Sequence, residues 1–492
     1  FGLHKNTLKT AVTNNKNSVN LTYTNLHLDG YRANNKTDRE IITITSNHDI
    51  GTKDKISFIG NLSRVKAFIP SSLNEDDYFE NPSVAAYTWA QSKGFEEYTK
   101  GLLGVSWQHE YNSNTTQKTS VFSSFLNSYE PRPFNILKEE TNGIGIRTRL
   151  LQNTTLFKNE LNWTIGIELF NDANSYQTYK NLYNTVASGS ELIQGELLSN
   201  FKERRTYFNL FFDSKYTFSK KIHYTLGLNL NKTSYHLKDN LINNIPNFSG
   251  NYSFKTMISP KIGIVYKNSL STMLYGSISH GFSPPTLEET LLPDGLINST
   301  IEPESGWNYE IGSRGQLFKN TVYFDIAIYR MNVKNLLVAR RTNNDEYMGV
   351  NAGKTQYNGL EFTLKNTFIK TKNITLFGFH SFAYNDFKFK KFIDDSNDYS
   401  NNLLTGVPKL TYNATIGLES LNGFYTSVNY SFVGEIPLRD DNSVYSDEYQ
   451  IINTQFGYQS NTNNNFQYNF LVGINNLTNS KYASMLLINA GS

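Results

Sequence analysis

Arg132 stands between Pro131 and Pro133, and prolines that fix φ near −65° leave the residue between them little backbone freedom. A guanidinium presented this way offers a planar, two-pronged fork to a carboxylate- or catecholate-bearing chelate. The plainer alternative is a loop arginine that meets a phosphate or a neighbouring carboxylate. Tyr129 and Phe134 lie on either side of it, with rings suited to stacking on an aromatic ligand or simply to packing. Arg340 and Arg341, with Tyr347 beyond them, form a second basic and aromatic cluster, whose alternative is a solvated loop. Arg439 is beside Asp440 and Asp441 and is expected to pair locally. The passage Glu75-Asp-Asp-Tyr-Phe-Glu80 reads as a solvated acidic loop, because it lacks the glycine and ligand spacing of a calcium loop. Eight histidines, His4, His27, His48, His109, His223, His236, His280 and His380, include no i, i+4 pair and no HExxH motif, so zinc chemistry has no support. No Gly-rich phosphate loop, nucleophile elbow or triad signature is present. The reading therefore assigns no catalytic residue, no metal ligand and no cofactor, and points to binding rather than turnover.

The elements that must position these residues are strands. Ile222, Tyr224, Leu226, Leu228 and Leu230 alternate with His223, Thr225, Gly227, Asn229 and Asn231, the period of a sheet with one apolar and one wet face. Leu161, Trp163, Ile165 and Ile167 likewise oppose Glu160, Asn162, Thr164, Gly166 and Glu168, and Val322, Phe324, Ile326 and Ile328 oppose Tyr323, Asp325, Ala327 and Tyr329. The charges fall on the wet face. Mean hydropathy is −0.47, and no apolar run reaches the 18 or so residues of a membrane-crossing helix. Yet 32 Tyr, 33 Phe and 4 Trp make 14% of the chain aromatic, as the two interfacial girdles of a membrane barrel demand. Formal net charge is only +3, from 46 Lys and Arg against 43 Asp and Glu, which announces no nucleic-acid partner. There is no cysteine, which removes thiolate chemistry and suits a chain that crosses an oxidising compartment. The start Phe1-Gly2-Leu3-His4 lacks the charged and apolar regions of a secretory signal, so the chain reads as mature or as a fragment.

Connections alternate between short and long. Ten short joins fall near Asn14–Ser18, Ile50–Lys55, Asn112–Gln117, Gln152–Thr155, Ser219–Lys221, Lys267–Ser269, Lys319–Asn320, Ile369–Asn373, Ser420–Gly423 and Ser460–Asn465. Nine longer joins separate them, among them Ala67–Lys100, Ser128–Thr141, Phe170–Arg204, Ser234–Thr256 and Asn332–Gln356. Short turns at one rim and long loops at the other are the wiring of an outer-membrane barrel. The expected fold is thus all-β, a transmembrane antiparallel β-barrel of about 20 strands, nearer the plugged transporters of about 22 than the open porins of 16 to 18.

The stretch His280-Gly-Phe-Ser-Pro-Pro-Thr-Leu-Glu-Glu289, followed by Ile301-Glu-Pro-Glu-Ser-Gly-Trp-Asn-Tyr-Glu-Ile-Gly312, resembles the barrel of TonB-dependent outer-membrane receptors. Leu26-His-Leu-Asp-Gly-Tyr-Arg32, Asn351-Ala-Gly-Lys-Thr-Gln-Tyr-Asn-Gly-Leu-Glu361 and Gly473-Ile-Asn-Asn-Leu-Thr-Asn-Ser-Lys-Tyr482 agree in order. The resemblance implies a barrel of about 22 strands, an N-terminal plug inside it, and the energy-transducing TonB complex as partner. It implies that residues 1–492 are one barrel domain whose plug and terminal strands lie outside this chain, since exposed closing edges are not tolerated by the bilayer. The Pro-Arg-Pro-Phe loop and the loop Ala67–Lys100 look like those of receptors for ferric siderophores or ferric citrate. The same scaffold serves haem, cobalamin, copper and glycan uptake. The resemblance further implies a monomer in the outer membrane of a Gram-negative bacterium, touching lipid and lipopolysaccharide, with a small-molecule metal chelate as ligand. Rival readings are a passive porin, which needs no plug, an outer-membrane enzyme, for which no clustered dyad is visible, and a soluble repeat protein, for which no motif recurs.

Overall fold

The computed structural model describes residues 2–185, 193–241, 247, 249–286, 289, 300–341, 347–394, 397–460 and 467–489. One antiparallel sheet of 21 strands runs from His4–Thr13 at one edge to Asn469–Ile474 at the other, each strand pairing with its neighbours along the chain. Gly250–Ser253 and Met257–Lys267 pair end to end with the same partner, Ile222–Asp239, so the sheet has twenty staves, as the alternation predicts. Pro260, opposite Leu228, lies just ahead of the point where pairing to the next strand begins at Lys261. A missing N–H is tolerated there.

The two faces invert the usual rule of burial. Leu226 and Leu228 are 51% and 41% exposed, whereas His223 and Asn231 on the opposite face are each 7% exposed. Ile165, Ile167 and Leu169 are exposed while Glu168 between them is buried. Apolar side chains that face outward around a whole sheet require lipid, not water, as their solvent.

Eight of the ten short joins fall where the sequence puts them, and Ser460–Asn465 lies, beyond Ser460, outside the described residues. The tenth is displaced: the polar run Gln152–Thr155 belongs to the strand Ile136–Leu156, and the reversal is made by Phe157 and Lys158, with φ of +50° and +67°. That left-handed pair is the backbone of a two-residue hairpin turn, here built without glycine.

The opposite rim differs more. Of the expected long joins, Ser128–Thr141 shrinks to residues 132–135 between the strands Thr115–Pro131 and Ile136–Leu156. Asn332–Gln356 is largely strand, running to Arg341 and again from Tyr347, and its residues 342–346 lie outside the described residues. Strands of 23 and 24 residues, Asn159–Asn181 and Gln194–Thr217, are more than twice the roughly 9–11 residues that cross a bilayer. The ladder continues beyond the lipid, where no apolar outer face is needed and the alternation that marks a strand is lost.

One long join does form a folded loop. Between Asp54–Phe68 and Phe95–Asn112 lie helix α1, Glu75–Glu80, and helix α2, Tyr87–Ser92. The acidic passage is α1: the Asn74 side chain accepts from Asp77 N at 2.7 Å, and its carboxylates fill the first turn, where they favour helix over loop.

Candidate functional site

Arg132 closes its own hairpin. Its backbone N–H donates to Asn135 O at 2.8 Å, its Nε donates to Asn135 Oδ1 at 2.9 Å, and its guanidinium is 3.6 Å from Glu130 and 5.0 Å from the Phe134 ring centroid. Asn181 Nδ2 donates to the Arg132 carbonyl at 2.9 Å, tying the turn to the next strand. The side chain is 13% exposed. The structure therefore brings Arg132 and Phe134 together, but with the guanidinium engaged by its own turn. Tyr129 pairs with Glu97 and Lys138 on the outer face, its ring 5.9 Å from that of Phe95, and so looks away from the lumen. Arg341 pairs with Tyr347, and Arg340 with Met348, at the tip of a strand pair; their side chains lie outside the described residues. Arg439 forms no ion pair with its neighbours among the described residues: Asp440 accepts from Thr405 Oγ1 at 2.9 Å and Asn489 Nδ2 at 3.0 Å, and Asp441 from Ser443 N at 2.9 Å. Those contacts lock the loop 434–448 onto the loop 392–409, where Asn442 and Leu403 exchange bonds of 2.7 and 3.0 Å.

The inner wall holds a network of paired charges that no sequence motif announces. Register places Gly143, Gly145 and Arg147 opposite Asp172, Phe170 and Glu168, and these opposite Arg205, Tyr207 and Asn209. Arg147 pairs with Glu168, and Arg205 with Asp172, carboxylates that are only 5% and 7% exposed. Tyr207 Oη also donates to Glu168 at 2.9 Å. Phe122, Phe170 and Tyr207 stack beside them, at 5.9 and 5.3 Å between centroids. Gly145 makes this possible, since a Cβ there would meet the Phe122 ring at 2.4 Å. Higher on the same strands, Leu137, Tyr176, Phe201 and Leu237 form a buried cluster. Beneath that cluster burial pushes the Glu203 carboxyl up to about 7 and the Tyr235 phenol to about 12. Both are above the lipid, because their outward neighbours Lys202, Arg204 and His236 are polar and exposed. The signal was present in the alternation as charges on the wet face, but which arginine meets which carboxylate depends on register, which the sequence does not print.

The mouth is shaped by the helical loop. Arg32 donates to the carbonyls of Val84 at 2.9 Å, Ser71 at 2.5 Å and Pro70 at 3.1 Å, while Asn34 Nδ2 donates to Ile69 O and Gly94 O at 2.8 and 2.9 Å. A charged donor with three carbonyl acceptors is a strong tether, each such bond contributing about 1.5–3 kcal/mol. Tyr235 Oη reaches in to donate to Pro285 O at 3.2 Å, fixing the strand exit after Ser283. Among the described residues no group of three or more His, Cys, Asp or Glu side chains is placed to hold a metal ion.

A sheet with lipid outside, paired charges inside and a folded mouth matches a family model described as TonB dependent receptor-like, beta-barrel, over residues 9–477. The chain belongs to the TonB-dependent receptor β-barrel family. Membership places it in the outer membrane of a Gram-negative bacterium and gives it TonB as the family's energising partner; the family is one of transporters and receptors, not of enzymes. Solved structures agree in fold. The ferric citrate transporter FecA in its unliganded form is 16% identical, with a TM-score of 0.79 over 97% of this chain and 71% of that one. The copper transporter OprC is 13% identical, at 0.77 over 97% and 72%. The siderophore receptor PiuA of Acinetobacter baumannii is 12% identical, at 0.75 over 97% and 76%.

Proposed function

We propose that this TonB-dependent receptor imports an anionic ferric chelate, a ferric siderophore or ferric citrate. The observation that supports this reading is the distribution of cations over rings on the inner wall. Lys100 lies over Tyr98 at 5.1 Å, Arg314 over Tyr275 at 4.7 Å, and Lys365 over Tyr323 at 5.8 Å. Alternation and register turn each of these toward the lumen. Such pairs give a bulky anionic chelate both charge and a stacking surface. The ferric citrate transporter FecA and the siderophore receptor PiuA, similar in fold, support the same reading. A bare soft cation, the alternative suggested by OprC, suits a chain with no cysteine and five methionines less well. Residues 1–492 are read as the barrel domain, working with a plug that couples to TonB, and no enzymatic step is assigned. In the mouth, Arg132 with Phe134, and Arg340, Arg341 and Tyr347, are proposed as points of ligand contact, with Tyr129 as a support behind the first pair.

Deletion of the full-length gene tests the reading. Growth is expected to fail on one ferric chelate as sole iron source, and to be restored by the intact gene but not by a copy lacking its plug. Unchanged growth on ferric citrate, a panel of siderophores and haem overturns the iron assignment and shifts the search to cobalamin, copper or glycans. Rescue by the plug-less copy favours passive diffusion.

A further inference from the structure

One carboxyl of the inner wall stands where its neighbours call for a proton. Register sets Asp172, Arg205 and Tyr235 in one row across three adjacent strands, and Asn174, Glu203 and Leu237 in the inward-facing row above it. Leu237 offers Glu203 nothing polar. On the other side Asn174 Nδ2 donates to Glu139 at 3.1 Å, and the Oδ1 of the same amide is shut off from water with no hydrogen-bond partner. An ionised carboxylate only accepts, whereas an unionised one carries an O–H. Only the neutral form of Glu203 therefore brings a donor to the row whose buried acceptor lacks one, and a buried acceptor left unmatched is costly.

The charged and titratable groups that face Glu203 among the described residues are Glu139 and Asp172 on the two preceding strands, Tyr235 on the next and Arg205 on its own. Three carboxyl groups thus share one guanidinium, and Asp172 holds it through both Nε and Nη2. Burial first, and the charges of Asp172 and Glu139 with it, push the Glu203 carboxyl up to about 7 against the pull of Arg205. Tyr235, buried and directly opposite Arg205, donates its own proton to Pro285 O at 3.2 Å. Its oxygen is left to face the guanidinium, so the bond that fixes the strand exit leans on Arg205.

We propose that one proton on Glu203 latches the extracellular end of the strand Thr272–Ser283 to the wall. While Glu203 is neutral, Arg205 stays with Asp172 and steadies Tyr235 on Pro285. Once Glu203 ionises, its nearest donor is that guanidinium, two residues along the same face of the same strand. A charged acceptor outcompetes a phenolic oxygen for it. Arg205 then turns from Tyr235 toward Glu203, and the strand exit is released. The latch is closed in acid and opens as pH rises through neutrality, because it is the folded wall that holds the proton. The switch acts whichever nutrient is imported.

Residues 1–492 contain no cysteine, so Ser283→Cys, at an exposed position just before Pro284 and Pro285, carries a single nitroxide within them. The test follows the mobility of that label by electron paramagnetic resonance in the purified full-length receptor in detergent. The pH runs from about 5.5 to about 8.5, the span over which a carboxyl so shifted changes charge. The mobile fraction is expected to rise roughly two-fold or more, with a midpoint near 7. Glu203→Gln, which keeps a donor in the same place, is expected to hold the label immobile at every pH. Tyr235→Phe, which removes the tie, is expected to leave it mobile at every pH. A nitroxide at Ser83→Cys, on the loop that Arg32 tethers, is expected to show no transition. Mobility at Ser283→Cys that ignores pH overturns the proposal without recourse to any further variant. So does a transition that survives in Glu203→Gln or Tyr235→Phe once heat-modifiable migration shows the variant folded. The same midpoint at Ser83→Cys assigns the transition to the mouth as a whole and rejects the latch.

Discussion

The inner and outer faces of the four strands from Ile136 to Asp239 carry charge in opposite ways. Inside, each arginine of the network is matched: Arg147 by Glu168, Arg205 by Asp172. Outside, above the lipid, Lys202, Arg204 and Lys238 stand on the same strands and form no ion pair among the described residues, the exposed Glu140 lying two strands from Lys202 across Ser175. A single backbone thus serves two electrostatic environments one residue apart. A carboxylate that is nearly dehydrated has to carry its own cation, whereas a cation at an anionic leaflet finds its partner in the membrane.

Three experiments break or sharpen this contrast, and chemical denaturation in detergent measures each. The largest effect is expected from Arg205→Ala, which leaves Asp172 dehydrated and unpaired at a cost of about 3–5 kcal/mol; adding Asp172→Asn to it is expected to recover most of the loss. A loss near zero in the single variant would mean that water already reaches this carboxylate. Next comes the lipid face, where Leu226→Arg near the middle of the apolar band is expected to cost about 2–4 kcal/mol; an effect under 1 kcal/mol would show that this face is not in lipid. The smallest effect concerns Glu203. Its folded-state value is raised to about 7 from the ordinary 4.5, so the native protein holds a proton that the unfolded chain has released. Stability contributed by the neutral form is present below about 4.5 and lost as pH rises to about 7, at most about 3 kcal/mol across the window. Glu203→Gln should flatten that slope, and an unaltered slope would assign the pH dependence to other groups.

Much of the architecture could be read in advance from residues such as Leu226 and Leu228 facing lipid, because the bilayer imposes alternation on every stave. Eight reversals among the described residues were legible for the same reason. The tenth was hidden because Phe157 and Lys158 adopt left-handed φ values that neither residue type advertises. Strand ends beyond the membrane were illegible at Ser128–Thr141 and Asn332–Gln356, since water on both faces removes the pattern while the hydrogen-bonded ladder persists. The Arg132 hairpin was visible as a stiff turn, yet its bond to Asn135 three residues on follows from the turn's geometry and not from residue type. The pairs Arg147–Glu168 and Arg205–Asp172 span 21 and 33 residues and become neighbours only through register.

The strand Asn159–Asn181 has 23 residues, about 75 Å of backbone at roughly 3.3 Å per residue. Tilted by about 40°, it rises some 58 Å, close to twice the hydrocarbon thickness of about 30 Å. The cell therefore shows the outside world a hydrogen-bonded parapet in place of supple loops. An antibody, phage or toxin arriving there meets rows of side chains contributed alternately by adjacent strands, so its footprint is discontinuous in the chain, and a linear peptide cut from the segment does not reproduce it.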